Sequence, residues 1–463
     1  MSRSAETAGK SPFFSTRKSF YRSLFSMMLM IALQNLIAYS VNIADNIMLG
    51  NYSQTSLSGA ATVNQIFFLI QQNVIAVGDA LVILASQYWG QGKVSPIRKI
   101  TGAALKFAFV VSGMITLFCF IMPHNVLRIF SADEAIIAEG VKYLRIIRYT
   151  FLIFTVSGIL MTALRAVEIV KISLYISIVS LVLNVFINYT LIFGNFGMPE
   201  LGIRGAAIGT LTARIVELII VLVYLIRDKR LALFSENFLK GSREMNHNFL
   251  QVCIPVYLSA ILWAVTVPMQ TAILGHLPGR NSSDVIAANS VVTTFYQYLK
   301  VISAAMGSAA GVMIGKIIGT GDIEETKAEA RSISVICVGI GAVLAILFLI
   351  ARKPLLSLYS LTPAAMDLAN QMMYLFAVII FSMTYMMPVA NGVIRGGGDT
   401  HFYLKMNLIS VWAIVMPLSF MSAFWWKWPP VWVVLMVQSD QIFKSIPTFL
   451  RVRSYKWIHQ MAK

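Results

Sequence analysis

The feature that most constrains this chain is an internal repeat of long apolar segments. One segment runs from residue 56 to 99 and another from residue 285 to 328, and both end in Gly-x-Gly followed by charged residues. The two Gly-x-Gly sequences, at 90–92 and 319–321, lie 229 positions apart (319 − 90). A fixed offset that recurs in separate segments indicates a duplicated architecture. In an apolar chain, duplicated halves are typical of membrane transporters with a site between the halves.

Composition places the chain in the membrane. Hydrophobic residues make up 57% of its 463 residues, and only 12% are charged. Apolar runs that reach the roughly 20 residues needed to span a bilayer recur along the whole length. We therefore predict an all-α polytopic membrane protein. About twelve transmembrane helices are expected in two six-helix bundles related by pseudo-two-fold symmetry.

The charged segments divide the predicted architecture into five parts. We predict a cytoplasmic N-terminal leader, an N-terminal bundle, a cytoplasmic linker, a C-terminal bundle and a cytoplasmic basic tail, at residues 1–22, 23–226, 227–248, 249–452 and 453–463.

The excess of 37 Lys and Arg over 20 Asp and Glu does not indicate a nucleic-acid partner. The basic residues fall in short loops between apolar runs, so the positive-inside rule accounts for them better. It places both termini in the cytoplasm.

Motifs for catalysis and cofactor binding are missing from the sequence. There is no Walker A, dinucleotide-binding, zinc-protease or nucleophile-elbow pattern. The five histidines are dispersed, and the three cysteines lie singly in apolar segments. We therefore predict a protein that is not an enzyme and has no cofactor and no metal site. Uphill transport would then depend on an ion gradient.

Charged residues inside the apolar runs are few and need partners. A charge in the hydrocarbon costs about 2.5–3.5 kcal/mol even on a lenient scale. Arg214 and Glu217 are spaced i and i+3, and Asp440 and Lys444 are spaced i and i+4. Both spacings put the partners on one helix face, so structural charge pairs are favoured over substrate contacts.

Asp45 is the strongest candidate for a functional carboxylate. It follows Gln34, Asn35 and Asn42 near the end of the first apolar run. It could be a solvated acid at a helix end or a carboxylate that accepts a cation in a cavity. Asn184 and Asn188 lie one turn apart on a later run, where they could supply oxygen ligands or join helices.

Lys300 lies in mid-span beside aromatic residues, and two interpretations stay open. It pairs with an acid such as Asp440, or it lines a wet cavity. Tyr296 and Met387 could line an adaptable substrate pocket, although ordinary helix packing explains such residues as well.

At this point the chain resembles a bacterial member of the multidrug and toxic compound extrusion (MATE) family. The motifs that carry the resemblance are those at residues 44–50, 87–92, 184–188, 201–207 and 394–400. The resemblance implies two bundles around a V-shaped cavity in the bacterial inner membrane. It also implies export of amphipathic, often cationic, small molecules by H⁺ or Na⁺ antiport, with Asp45 taking part in the coupling. A monomer is expected.

Two positions depart from the pattern of some family members. Trp263 stands where those members carry a second acid, and Asn188 stands where some carry an acid. We keep Trp263 as a candidate cavity residue. The alternative function is a lipid-linked precursor flippase of related architecture, whose cavity should hold several basic residues. A membrane-embedded enzyme is disfavoured by the missing catalytic motifs.

Overall fold

The computed structural model describes residues 13–234, 238, 243–277, 282–357, 359 and 361–462. These residues form helices and connecting turns, and no β-strand occurs among them. Their one β-type contact is an isolated bridge between Gly398 and Ile458. The chain divides into two compact units. One is Leu29–Val265, and the other consists of Thr266–Lys463 together with the residues up to Met28. The predicted domain boundaries cut the chain elsewhere and stay a prediction.

The unit Leu29–Val265 contains most of the first helix, six complete helices and the start of an eighth. These are α1 Lys18–Tyr52, α2 Gln54–Gly90, α3 Val94–Ile121, α4 Pro123–Arg128, α5 Glu134–Ala166, α6 Lys171–Phe193, α7 Ile203–Arg227 and α8 Arg243–Gly275.

The other unit contains the end of α8, the start of α1 and seven further helices. These are α9 Ser282–Thr320, α10 Ile323–Leu356, α11 Pro363–Met387, α12 Thr400–Asn407, α13 Met416–Phe420, α14 Pro430–Gln438 and α15 Asp440–Ser454. Three short π-helical segments accompany them. Pro388–Ile394 continues α11, Leu408–Val415 connects α12 to α13, and Met421–Trp425 continues α13.

Eleven continuous helical stretches within the described residues are long and apolar enough to cross a membrane. The twelfth predicted span, near residues 429–450, is divided at Ser439 into α14 and α15. Six of the twelve precede the segment 227–248 and six follow it. The prediction of an all-α, polytopic membrane protein is therefore confirmed.

The duplication extends to the positions where helices begin. Helix α3 begins at Val94 and α10 at Ile323, which is 229 residues later (323 − 94). The same offset separates the starts of α5 and α11, and the starts of α6 and α12. The N-caps repeat as well. Asp133 accepts a hydrogen bond from the Ala135 amide at 2.9 Å, and Thr362 accepts one from the Ala365 amide at 3.1 Å.

The residues just before α1 form a short anchored segment, which we call the N-terminal strap (residues 13–17). Ser15 is buried, and its hydroxyl donates a hydrogen bond to Glu325 at 2.6 Å. Its backbone amide donates a second hydrogen bond to the Ser332 hydroxyl at 3.0 Å. Arg17 lies 3.7 Å from the same carboxylate. Helix α1 begins at Lys18, inside the predicted leader 1–22, and residues 1–12 of that leader lie outside the described residues.

The residues after α15 also pack onto the unit that contains them. Trp457 is fully buried, and its ring lies where a β-carbon on Gly397 would come within 2.3 Å. The His459 amide donates to the Gly397 carbonyl at 2.9 Å. The predicted tail 453–463 therefore contains a packed core residue.

Candidate functional site

Asp45 lies near the end of α1 and is joined to two asparagines of α6. The Asn188 side-chain amide donates to Asp45 Oδ1 at 2.5 Å and contacts Asn184 Oδ1 at 3.3 Å. Asn184 and Asn188 are one helical turn apart, so both side chains lie on the same face of α6. Both are buried, whereas Asp45 is half-buried. The structure thus brings together the three residues predicted for cation coupling.

Helix α7 completes this group with residues that the sequence analysis missed. The Asn184 side-chain amide donates to Thr210 Oγ1 at 3.2 Å. Gly209, next to it, leaves the space that Asn188 fills, because a β-carbon there would lie 2.0 Å from Asn188 Oδ1. The buried Tyr143 of α5 lies beside Thr210. We call Asp45, Asn184, Asn188 and Thr210 the Asp45 cluster.

The Asp45 cluster contains several oxygen atoms. They belong to a carboxylate, two side-chain carbonyls and a hydroxyl, which are the donors that hard cations prefer. Asn188 Oδ1 is buried and has no hydrogen-bond partner among the described residues. Since a buried polar atom without a partner is costly, a bound cation or a rotated amide would satisfy it. Among those residues, no three His, Cys, Asp or Glu side chains converge as a transition-metal site would require.

Arg214 determines the charge around Asp45. Its guanidinium lies 2.7 Å from Glu217, whose other oxygen accepts a hydrogen bond from Ser157 at 2.8 Å. The positive charge of Arg214 also acts on Asp45. Arg214 is paired with Glu217 and acts on Asp45 only through its charge, so with both carboxylates ionised the three side chains have one net negative charge. One monovalent cation would neutralise the group.

The second predicted charge pair, Asp440 and Lys444, lies in the other unit, and it belongs to a group whose net charge is opposite in sign to that around Asp45. Lys444 Nζ is 3.0 Å from Asp440 Oδ2, and both residues are buried. Lys300 on α9 lies close enough to Asp440 for their charges to interact, as does the hydroxyl of Tyr296. We call Lys300, Asp440 and Lys444 the Lys300 cluster. Two lysines share one carboxylate, so this cluster has one net positive charge.

The remaining cavity candidates are dispersed. In the unit Leu29–Val265, Gln34 and Asn35 are half-buried and Asn42 is exposed. Trp263 lies in the same unit, 6.2 Å from the ring of Phe68. In the other unit, Tyr296 packs edge-on against Phe376, and the half-buried Met387 ends α11 beside Met386 and Met406. A cavity shared by these residues stays a prediction.

A family model and the related proteins found by sequence comparison indicate the same family for this chain. The MatE family model matches residues 31–190 and 255–421. A probable multidrug resistance protein of Bacillus subtilis, YoeA, is 23% identical over 418 residues and 89% of each chain. A probable multidrug resistance protein of Thermotoga maritima, NorM, is 23% identical over 434 residues, covering 92% of this chain and 90% of NorM.

Solved structures share the fold. The Vibrio cholerae MATE transporter VcmN in its bent form superposes with a TM-score of 0.84 over 94% of this chain and 97% of its own, at 18% identity. The eukaryotic MATE transporter AtDTX14 gives a TM-score of 0.80 over 96% of this chain and 97% of its own, also at 18% identity.

Proposed function

This chain belongs to the MATE family, and from that membership we propose that it exports amphipathic, often cationic compounds in exchange for H⁺ or Na⁺. It is a multi-pass membrane transporter and not an enzyme. The exchange would follow alternating access, in which the substrate and the coupling ion favour different conformations of the same protein.

The Asp45 cluster is the observation that carries the coupling proposal. Asp45 accepts a hydrogen bond from Asn188, which also contacts Asn184, and Asn184 in turn donates to Thr210. A carboxylate at the end of such a polar chain can hold a proton or take part in coordinating Na⁺. With Arg214 and Glu217, the group has one net negative charge until that ion binds. Neutralising it removes the cost of a net charge within the membrane, so the loaded cluster is the form suited to a conformational change.

Loading Asp45 would also change its contact with α6. A proton or Na⁺ on the carboxylate weakens the attraction that now aligns the Asn188 amide with Asp45 Oδ1. If α1 moves as a result, ion binding lowers the affinity for substrate. By linkage, substrate binding then lowers the affinity for the ion by the same factor.

The cellular setting of the proposed exporter follows the positive-inside rule. We place the protein in the bacterial inner membrane as a monomer, with both termini in the cytoplasm. Its partners would be the small-molecule substrate and the lipid bilayer, and no nucleic acid.

An Asp45→Asn variant tests the coupling. The amide keeps the shape and polarity of the side chain but can neither take up a proton nor attract Na⁺ as a carboxylate does. We expect the variant still to bind substrate, with the lower affinity of the ion-loaded form, and gradient-driven transport to fall to background. The measurement is uptake of a fluorescent cation into everted vesicles, with the Na⁺ gradient and the pH gradient imposed separately.

The matched control is Asp367→Asn, which removes an exposed carboxylate near the start of α11. It should transport at the wild-type rate. An Asp45→Asn protein that still concentrates the fluorescent cation at that rate would move the coupling site elsewhere. If only one of the two gradients drives the wild type, that gradient identifies the ion.

The lipid-linked precursor flippase is not favoured by relatives such as YoeA and NorM, which are named probable multidrug resistance proteins. Its pyrophosphate substrate would need several basic side chains in a cavity. In the described residues the Lys300 cluster offers two lysines, and Asp440 offsets one of them.

A further inference from the structure

A groove of about 600 Å³ opens between α10, α11 and α15 in the unit that contains the N-terminal strap. Its walls are apolar and include Val335, Val338, Phe381 and Phe449. Each of these four side chains is at least 39% exposed, so the groove is open along its length. A groove with apolar walls on a membrane-spanning bundle is accessible to lipid chains.

The charged residues that line the groove are both arginines, whereas its other polar lining residues are neutral serines and tyrosines. Arg331 and Arg453 line it near the start of α10 and the end of α15, which are the helix ends closest to the strap and the C-terminal segment. Val338 lies seven residues further along α10 than Arg331, which is about 10 Å at the helical rise. The apolar walls therefore extend away from a basic mouth, as the acyl chains of a phospholipid extend away from its headgroup.

The two arginines are available to an anion. Within the described part of the chain no carboxylate lies within salt-bridge distance of either guanidinium. Arg331 stacks on the ring of Phe13 at 4.5 Å, and Arg453 lies 5.8 Å from the ring of Phe449. Arg331 Nε already donates to the Lys327 carbonyl at 3.2 Å. A phosphate would therefore bind the terminal N–H groups at the edges of the two guanidinium groups, which contact with an aromatic face leaves accessible.

We propose that this groove binds an anionic phospholipid, with the phosphate at Arg331 and Arg453 and an acyl chain along Val335, Val338 and Phe449. Two basic side chains at one end and apolar walls beyond it match that ligand at both of its parts. Neither a soluble anion nor an uncharged hydrocarbon would use both features.

The N-terminal strap connects this site to the rest of the bundle. Phe13 and Phe14 form one wall of the groove, while Ser15 and Arg17 are anchored to the first turns of α10. A lipid in the groove would contact Phe13 and Arg331 together. Occupancy would therefore hold the strap against α10 and stabilise the folded protein by mass action.

The test compares phosphatidylglycerol with phosphatidylcholine of identical acyl chains, added to the purified full-length protein in detergent. We expect phosphatidylglycerol to raise the Tm of the wild type and phosphatidylcholine to have little effect. For Arg331→Gln combined with Arg453→Gln, the apparent affinity for phosphatidylglycerol should fall about 30-fold, because each basic side chain near an anionic headgroup contributes about fivefold.

The matched control is Arg227→Gln combined with Arg230→Gln. These two arginines are exposed at and just after the end of α7, in the unit that does not contain the groove, and neither lines it. This variant loses the same charge and should keep the wild-type preference for phosphatidylglycerol. If it loses the preference as fully as the groove variant does, the effect is one of general charge and the proposal is wrong.

Two further arms keep the result decisive. Glycerol phosphate has the headgroup charge without the acyl chains, so an equal rise in Tm with it would overturn the lipid assignment. If the groove variant does not fold, photoreactive phosphatidylglycerol is added to the wild type. Labelling should then map to residues 334–338 and 449–453, and labelling confined to other helices would contradict the site.

Discussion

At the scale of single residues, Gly209 shows how one missing side chain makes room for the Asp45 cluster. A β-carbon at this position would lie 2.0 Å from Asn188 Oδ1. We expect Gly209→Ala to displace Asn188 and to destabilise the protein by about 1–3 kcal/mol, the usual cost of overpacking. A thermal unfolding curve in detergent measures this, and vesicle transport reports the loss of the Asn188 contact to Asp45.

Gly113→Ala is the control for that substitution. Gly113 is also inside a long helix, and no neighbouring side chain lies within 4 Å of the β-carbon that alanine would add. Because alanine favours helix, this variant should be as stable as the wild type or more stable, by up to about 1 kcal/mol. Equal destabilisation of the two variants would show that the fit around Asn188 is unimportant.

The same residues mark how far the sequence could predict the site. Asp45, Asn184 and Asn188 could be singled out because an acid and two amides are conspicuous in apolar helices. Gly209 and Thr210 could not, since glycine and threonine are common in transmembrane helices and carry no sign of which neighbour they face. Their roles depend on the packing of α7 against α6, which helical periodicity does not specify.

At the scale of helices, the sequence repeat predicted more than the number of spans. Helices α3, α5 and α6 begin 229 residues before α10, α11 and α12, because the turn and capping residues were duplicated along with the apolar runs. The division of the last span at Ser439 was not predicted. Polar residues, Gln-Ser-Asp-Gln, interrupt the apolar run at 438–441, but a polar interruption alone does not distinguish a broken helix from a continuous one with a buried polar face.

That break makes Asp440 the first residue of α15 and the shared partner of two lysines. Asp440→Asn would leave Lys300 and Lys444 facing each other without a counter-charge. We expect a loss of about 3–5 kcal/mol in the free energy of unfolding, the range for breaking a buried pair from one side. Lys300→Met should cost less, because the pair between Asp440 and Lys444 at 3.0 Å would persist.

A double variant checks this explanation. Adding Lys444→Met to Asp440→Asn removes the repulsion between the two lysines and should restore part of the lost stability. Midpoints of thermal unfolding are measured for Asp440→Asn, for Lys444→Met and for the double variant, and together they provide the coupling energy between the two positions. Strict additivity of the two losses would mean that these charges do not act as a group.

At the scale of the whole molecule, the direction of insertion can be measured at positions just before and just after α2. This helix has 37 residues and is therefore about 55 Å long, enough to cross the bilayer. An impermeant thiol reagent applied outside the cell should label Asn51→Cys and leave Ser95→Cys and Ser454→Cys unmodified. All three positions are exposed, and the native Cys119, Cys253 and Cys337 are buried. The opposite labelling pattern would reverse the proposed topology.

The N-terminal strap also has a consequence for biosynthesis. The hydrogen bond between Ser15 and Ser332 joins residues 317 positions apart. At roughly 5–20 residues per second, the ribosome needs about 16–60 s to make that stretch. During this time the strap has no α10 to bind, so its docking must follow the insertion of nearly every preceding span. The first residues in the described chain thus reach their final position only after the first turns of α10 have been made, and their contacts report that translation has passed that point.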